Sequence, residues 1–251
     1  MRKFIIDFVI VENRHLHDNY SLLILTPKTG EKLPEMRPGQ FVQIAIDGTK
    51  STFLRRPISI NFVDYNNNQL WLLVRKAGEG TSHLLGLQKG DNLNIILPLG
   101  SSFTIPTEKT SRLLLVGGGV GIAPMLYLGC ELKNKGYNPE FLIGARSAKD
   151  ILELDELASV GNVHISTEDG SLGEKGLNVV LVDLDLRNPS VGKVLGLEDK
   201  ITSKRIYKKE WKISIMMGDD PKSDPTSILG TNSVKNLIED LRNKFDYVIL
   251  D

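Results

Sequence analysis

One cysteine, Cys130, stands among 251 residues. A single thiol excludes an internal disulfide, a cysteine-based zinc site and a four-cysteine iron–sulfur cluster built from these residues. An excess of charge of one sign is missing too, since 31 lysines and arginines face 31 aspartates and glutamates. That balance removes the electrostatic case for a dedicated binder of nucleic acid or of an anionic membrane. Long apolar runs are scarce. The uncharged stretch Leu113–Cys130 is broken by Gly117-Gly118-Gly119, Gly121 and Pro124, so it reads as strand, tight turn and helix rather than a membrane span. Met1–Ile10 is interrupted by Asp7 and no small-residue cleavage site follows, so a secretory peptide is not expected. The expectation is a cytoplasmic protein. What is present, 41% apolar and 25% charged residues, supplies a proper core for one large domain or two ordinary ones.

The first hundred residues read as short strands at Lys3–Asn13, Tyr20–Thr26, Gln40–Ile46, Ile58–Val63, Gln69–Arg75 and Asn92–Leu97. Turn clusters such as Arg37-Pro38-Gly39 separate them, and Thr81–Leu87 suits one short helix. This rhythm predicts an antiparallel barrel or sandwich. After about Thr110 strands and helices alternate: Leu113–Val116, helix Ala123–Lys135, Glu140–Gly144, helix Asp150–Ala158, Val163–Ser166. Alternation predicts a parallel, doubly wound sheet. Further on, Val179–Asp183, Lys212–Met216 and Tyr247–Leu250 suit strands and Ser233–Lys244 an amphipathic helix. The fold class is thus α+β with two domains: residues 1–102 a barrel, 103–177 the first half of an α/β domain, and 178–251 an atypical α/β segment. Val179–Asp183 is free to add to the sheet beside Val163–Ser166.

Three clusters suit a phosphate-bearing ligand. Arg55-Arg56-Pro57-Ile58-Ser59 joins a guanidinium fork to a proline-fixed turn and a hydroxyl. Leu73-Val74-Arg75 ends a strand, and Gly78-Glu79-Gly80-Thr81 opens a helix, where free N–H groups favour anions. Val116-Gly117-Gly118-Gly119-Val120-Gly121-Ile122-Ala123-Pro124 lies where a strand feeds a helix, so backbone amides can approach a diphosphate. The last run departs from the strict dinucleotide fingerprint, and a plain structural turn is its alternative. His15, His17, His83 and His164 lack metal-ligand spacing beyond the first pair, and no metal site is expected. Cys130 reads as a small buried side chain.

Taken together these motifs resemble the ferredoxin–NADP reductase superfamily, in which an Arg-Pro-x-Ser barrel precedes a domain opened by Gly-Gly-Gly-x-Gly-x-x-Pro. They resemble more closely the electron-transfer subunit of NAD-linked dihydroorotate dehydrogenase. Leu54–Ile60, Gly80-Thr81, Leu97-Pro98-Leu99-Gly100, Gly117–Pro124 and Thr167-Glu168-Asp169-Gly170-Ser171-Leu172-Gly173-Glu174-Lys175-Gly176 follow that pattern in order, over about residues 1–177. The resemblance implies FAD contacts from Arg56, Pro57, Ile58, Ser59, Leu73, Val74 and Arg75, with Gly80 and Thr81 at the FAD diphosphate. It implies a nicotinamide nucleotide, NAD(H), at Gly117, Gly118, Gly119 and Gly121. It further implies a catalytic dihydroorotate dehydrogenase subunit as partner in pyrimidine biosynthesis. No catalytic side chain is required, because hydride moves directly between nicotinamide and flavin. Gly144-Ala145-Arg146-Ser147 leaves NADP open, while the resemblance favours NAD.

The resemblance ends after Leu177, where a Cys-Gly-Pro strand and a four-cysteine tail holding a [2Fe-2S] cluster do not follow. Instead Val179–Ser190, Asp224-Pro225-Thr226-Ser227-Ile228-Leu229-Gly230 and Phe245–Asp251 resemble the middle of a bacterial tyrosine kinase domain, with Asp183 and Asp185 as candidate magnesium ligands. No Gly-x-x-x-x-Gly-Lys-Ser/Thr loop accompanies them. The expectation is an electron-transfer flavoprotein impaired by loss of its cluster tail. A kinase-related regulatory fragment, or a chimera without evolved function, is the alternative.

Overall fold

A computed structural model describes residues 2–47, 54–107 and 113–176, together with 179–182, 206–208, 213–216, 236, 239–243 and 247–250. The chain forms two compact units, Met1–Gly173 and Glu174–Asp251. In the first unit, seven strands make one antiparallel sheet: β1 (Phe4–His17), β2 (Tyr20–Pro27), β3 (Phe41–Ile44), β4 (Arg56–Ser59), β5 (Phe62–Asp64), β6 (Gln69–Arg75) and β7 (Asn92–Leu99). Their spatial order is β4-β3-β7-β1-β2-β6-β5. The sheet curls until its two terminal strands are chain neighbours, joined by Ile60–Asn61. At that seam the Ile60 amide donates to Gln40 beside β3, and the Asn61 amide donates to Trp71 on β6. The single strand expected over Ile58–Val63 is therefore two, because the chain changes partner at the barrel corner.

Alternation along β6 explains both faces of the barrel wall. Leu70, Leu72 and Val74 point into the barrel with Phe8, Ile10, Leu23, Leu25, Val42, Ile44 and Ile95. On the other face Leu73 packs with Tyr20, Leu22 and Ile24 of β2 into a second cluster. Strands buried on both faces read as near-continuous apolar runs, which is why Leu22–Leu25 and Leu70–Val74 lack a polar side.

That second cluster is completed by the α/β layer: β8 (Leu113–Gly118), β9 (Pro139–Ala145) and β10 (Asn162–Thr167), with α2 (Met125–Asn134) and α3 (Leu154–Val160). A short helix, α1 (Glu79–Gly86), precedes them. The three strands are parallel in the order β10-β9-β8. Two successive crossovers running the same way place both helices on one face. There Leu115, Phe141 and Ile143 meet Leu126, Leu128, Leu132 and Leu157. On the opposite face Leu114 and Val116 remain exposed. This is one half of a doubly wound sheet.

The second unit contains β11 (Glu174–Lys175), β12 (Val179–Val182), β13 (Ile206–Lys208), β14 (Ile213–Met216) and β15 (Tyr247–Leu250). β12 lies between β14 and β15, parallel to both, and β13 pairs antiparallel with β14. Val179–Val182 thus has its two neighbours within its own sheet rather than adding beside Val163–Ser166. A strand with both edges already paired has no edge left to offer. Within the expected helix Ser233–Lys244, residues 236 and 239–242 are helical. Asp183, Asp185 and Asp224–Gly230 lie outside the described residues. No helix among the described residues is long and apolar enough to cross a membrane.

Because the outer face of β2 is core, Leu22→Ala is expected to lower the unfolding free energy by about 2–5 kcal/mol. Ile5→Ala, at an exposed position on β1, is expected to change it by less than about 0.5 kcal/mol. Urea unfolding followed by circular dichroism compares the two.

Candidate functional site: a glycine-backed arginine and a glycine loop

The two adjacent arginines have separate duties. Arg55 turns inward, where its Nη1 donates to the carbonyls of Asn94 at 2.9 Å and Gln43 at 3.3 Å, and its Nη2 donates to Asn94 Oδ1. Asn94 is itself held by a bond from its Nδ2 to Asp7 Oδ1 at 2.6 Å. Arg56, half-buried at the start of β4 opposite Ile44, uses one N–H on the Leu54 carbonyl at 2.8 Å. Its remaining donors have no acceptor among the described residues.

Beneath Arg56 lies buried Gly80. A Cβ there would stand 2.7 Å from Arg56 Nε and 3.3 Å from its Cγ and Cζ, so only glycine lets the side chain lie across the first turn of α1. Thr81 builds that turn. Its Oγ1 accepts from the amides of Ala77 at 2.8 Å and Gly78 at 3.1 Å, and donates to the Gly78 carbonyl. Gly78, the capping residue, has no side chain to cover the first-turn N–H groups, so they stay available to an anion beside the guanidinium. Pro57 is exposed, and Ile58 and Ser59 are half-buried along the same strand.

The second half of the site ends β8. Gly117, Gly118 and Gly119 lead through a single 3-10 turn, Gly119–Ile122, into α2. A Cβ on Gly117 would meet Ile122 at 2.8 Å, and Gly119 takes φ +53 with Tyr20 Oη 3.5 Å from its Cβ position. Gly121 faces open space. The loop therefore lies at the carboxyl ends of parallel strands, where α/β sheets bind ligands. The run from Thr167 adjoins the end of β9: the amides of Glu168 and Asp169 donate to the carbonyls of Ala145 and of Arg146 just beyond it. Ser171 hydrogen-bonds Asp169 Oδ1 through both Oγ and its amide, and this holds the Asp169 carboxyl below its ordinary range.

The structure brings Arg56, Gly80 and Thr81 together at one place, and Leu73 against the glycine loop at another. Leu73 and Val74 are buried on opposite faces of β6, so they can offer a ligand only their peptide groups. Arg75 is exposed and registers with Tyr20 across β2.

Three residues of this region escaped the sequence reading: Tyr20, Asn61 and Glu153. Asn61 sits on the seam two residues after Ser59, fully buried. Its Nδ2 donates to the Ala123 carbonyl at 2.9 Å and to Glu153 Oε2 at 2.9 Å, and its main-chain carbonyl accepts from the Tyr127 amide in the first turn of α2. Glu153 caps α3 in the left-handed conformation at φ 53. Burial pushes its carboxyl up to about 7, with Glu156 adding to the rise while Asn61 and Arg14 oppose it. Only Asn61's place just after the arginine–proline motif could have drawn notice. Cys130, half-buried in α2, has its thiol pushed up by burial. It is not a reactive thiolate.

Among solved structures, NADH-dependent reduced ferredoxin-NADP oxidoreductase, an enzyme of flavin-based electron bifurcation, superposes with a TM-score of 0.59 at 27% identity, covering 68% of this chain and 59% of that one. The class is therefore a ferredoxin-reductase-like two-layer fold, an antiparallel barrel followed by a parallel α/β layer. In sequence, the dihydroorotate dehydrogenase B (NAD(+)) electron transfer subunit of Listeria monocytogenes is 41% identical over 170 residues, 66% of this chain and 65% of that protein. The subunit of the same name from Listeria welshimeri is 37% identical over 185 residues, 72% of this chain and 70% of that protein. The chain belongs to the family of dihydroorotate dehydrogenase B electron transfer subunits, and spans about two thirds of the length of these relatives. No family model matches it.

The division of labour between the arginines is measurable by urea unfolding. Arg55→Ala removes donors to three acceptors and is expected to cost about 1.5–3 kcal/mol. Arg56→Ala is expected to stay within about 0.5 kcal/mol of wild type.

Proposed function

We propose that this chain carries electrons between a nicotinamide nucleotide and FAD, on behalf of a catalytic dihydroorotate dehydrogenase subunit with which it forms a hetero-oligomer in the cytoplasm. The observation that carries the reading is Arg56 lying across Gly80 at the uncapped start of α1. A Cβ at Gly80 would fill this cradle, and the guanidinium beside it has donors to spare. The residues present fit a diphosphate there. Arg56, Gly80 and Thr81 hold the FAD diphosphate, Pro57, Ile58 and Ser59 line the path of the flavin along β4, and Leu73, Val74 and Arg75 offer backbone contacts at the end of β6. Gly117, Gly118, Gly119 and Gly121 receive the nicotinamide nucleotide, which we take to be NAD. When bound, FAD supplies the ring that exchanges hydride with nicotinamide. The protein's part is to hold the two rings in contact and to exclude water, so no acid or base is assigned.

A [2Fe-2S] cluster does not fit these residues. One cysteine, half-buried in a helix with its thiol pushed up by burial, cannot supply four thiolate ligands. No relay step is therefore derived through a cluster. The segment from residue 178 onward we read as a kinase-like α/β piece. The parallel run β14-β12-β15 supports that reading, and no phosphate-cradling glycine-lysine loop accompanies it.

Reconstitution of the full chain with FAD is expected to give a yellow protein that passes electrons from NADH to a dye. Arg56→Ala is expected to weaken FAD binding about 10- to 100-fold, the worth of a charged hydrogen bond. Gly119→Val, which forces a β-branched residue into the left-handed region, is expected to raise the NADH KM at unchanged flavin content. A colourless protein after reconstitution overturns the reading.

A further inference from the structure

Asn61 Oδ1 and Glu153 Oε1 are buried atoms without a hydrogen-bond partner among the described residues. They belong to two planar groups already joined by one bond, from Asn61 Nδ2 to Glu153 Oε2 at 2.9 Å. Each group has thus spent one atom on the other and kept one bare acceptor. Two bare acceptors on bonded neighbours, both shut away from water, are costly. A carboxylic acid removes the conflict, because its O–H supplies the one donor that both atoms lack. Acid and primary amide then close a ring of two hydrogen bonds, N–H to carboxyl oxygen and O–H to amide oxygen.

We propose that Glu153 is held in its acid form, donating from Oε1 to Asn61 Oδ1, and that this pair is a positioning device for the glycine loop. The left-handed conformation of Glu153 at φ 53 is unfavourable for a non-glycine residue, and its buried bond to Asn61 is a partner that can hold it there. The second hydrogen of Asn61 Nδ2 holds the carbonyl of Ala123, the residue that follows Gly117–Ile122, at 2.9 Å. The same asparagine follows the Arg56–Ser59 strand by two residues, so one amide ties both proposed ligand segments together. Ionisation of Glu153 places a bare carboxylate oxygen against Asn61 Oδ1, and the amide must turn away from Ala123 to relieve it.

The charges around the pair are few. Glu156 on α3 faces it as the anion, and Arg14 on β1, 3.7 Å from Glu156, as the cation. Asn61 and the Ala123 carbonyl bring no charge. The His17–Asp150 pair, at 3.9 Å, is common to wild type and Glu153→Gln and is expected to cancel in their comparison. Burial raises the carboxyl from 4.5 to about 7, in keeping with the acid form. A carboxyl raised on folding stabilises the fold fully below its ordinary value, and that contribution is lost as pH climbs through the raised one. The window is therefore about pH 4.5 to about pH 7.

Thermal and urea unfolding of the full chain across that window test the pair, with Glu153→Gln as the comparison, since glutamine keeps both hydrogen bonds and cannot ionise. The wild-type unfolding constant is expected to rise roughly a hundredfold more than that of Glu153→Gln as pH increases. Parallel curves overturn the proposal. Carboxyl 13C NMR of the wild-type protein needs no variant: one glutamate titrating near neutrality supports the acid, and all glutamates in the ordinary range overturn it. The role in the glycine loop rests on the proposed function. In the flavin-loaded chain the NADH KM is expected to rise with pH in wild type but not in Glu153→Gln, with kcat unchanged in both. Equal KM profiles overturn the positioning role. Failure to bind flavin counts against the proposed function alone, because unfolding and NMR read the pair directly.

Discussion

The second face of β2 and β6 is the contact on which the first unit depends. A barrel wall normally meets water on its outside. Here Tyr20, Leu22, Ile24 and Leu73 face outward into a shared core with Leu115, Ile122, Ala123 and Leu126. Fully burying an aliphatic side chain is worth roughly 1.5–3 kcal/mol, so a handful of such residues outweighs the ordinary looseness of a domain boundary. The glycine loop is rooted in this shared core through Ile122, while Gly118 and Gly121 stay exposed. Ile122 is a core residue, and Gly117 must be glycine because Ile122 folds back onto it.

Within that apolar seam the polar contacts are few and specific. Tyr127 donates from its hydroxyl to the Met36 carbonyl at 2.8 Å, and its burial raises the hydroxyl's pKa. Asn61 joins the barrel corner to the start of α2. Apolar packing tolerates small rotations of one layer over another, whereas hydrogen bonds of fixed length do not. The greasy contacts give adhesion and the polar ones give register. The arrangement suits a site whose halves come from separate layers and must keep a constant distance.

Much of this was legible beforehand because glycine and proline announce themselves. The Gly78–Thr81 helix start and the Gly117–Pro124 loop occupy the positions their composition implies, and β6 runs over the very residues expected, Gln69–Arg75, whereas the proline-fixed turn expected at Arg55–Ser59 is instead the strand β4 from Arg56 on. What was missed depends on tertiary partners. The break between β4 and β5 comes from a change of hydrogen-bonding partner at Ile60–Asn61, invisible in an apolar run. α3 starts at Leu154 rather than Asp150, because Ser147 bonds Asp150 in a short 3-10 turn and Glu153 takes a left-handed conformation that no glycine advertised. Tyr20, Asn61 and Glu153 belong to residue types common in any domain, and only their burial, with Asn61 and Glu153 bonded to each other, sets them apart.

The opposed burial of Leu73 and Val74 has an evolutionary corollary. If this strand meets a ligand as proposed, it does so through peptide groups while its side chains serve two cores, so the ligand would place no chemical demand on the strand's own letters. Descendants can exchange leucine, isoleucine and valine there freely, under selection for volume alone. Such a binding strand conserves a shape rather than a spelling, and a motif search keyed to residue identity will pass over it.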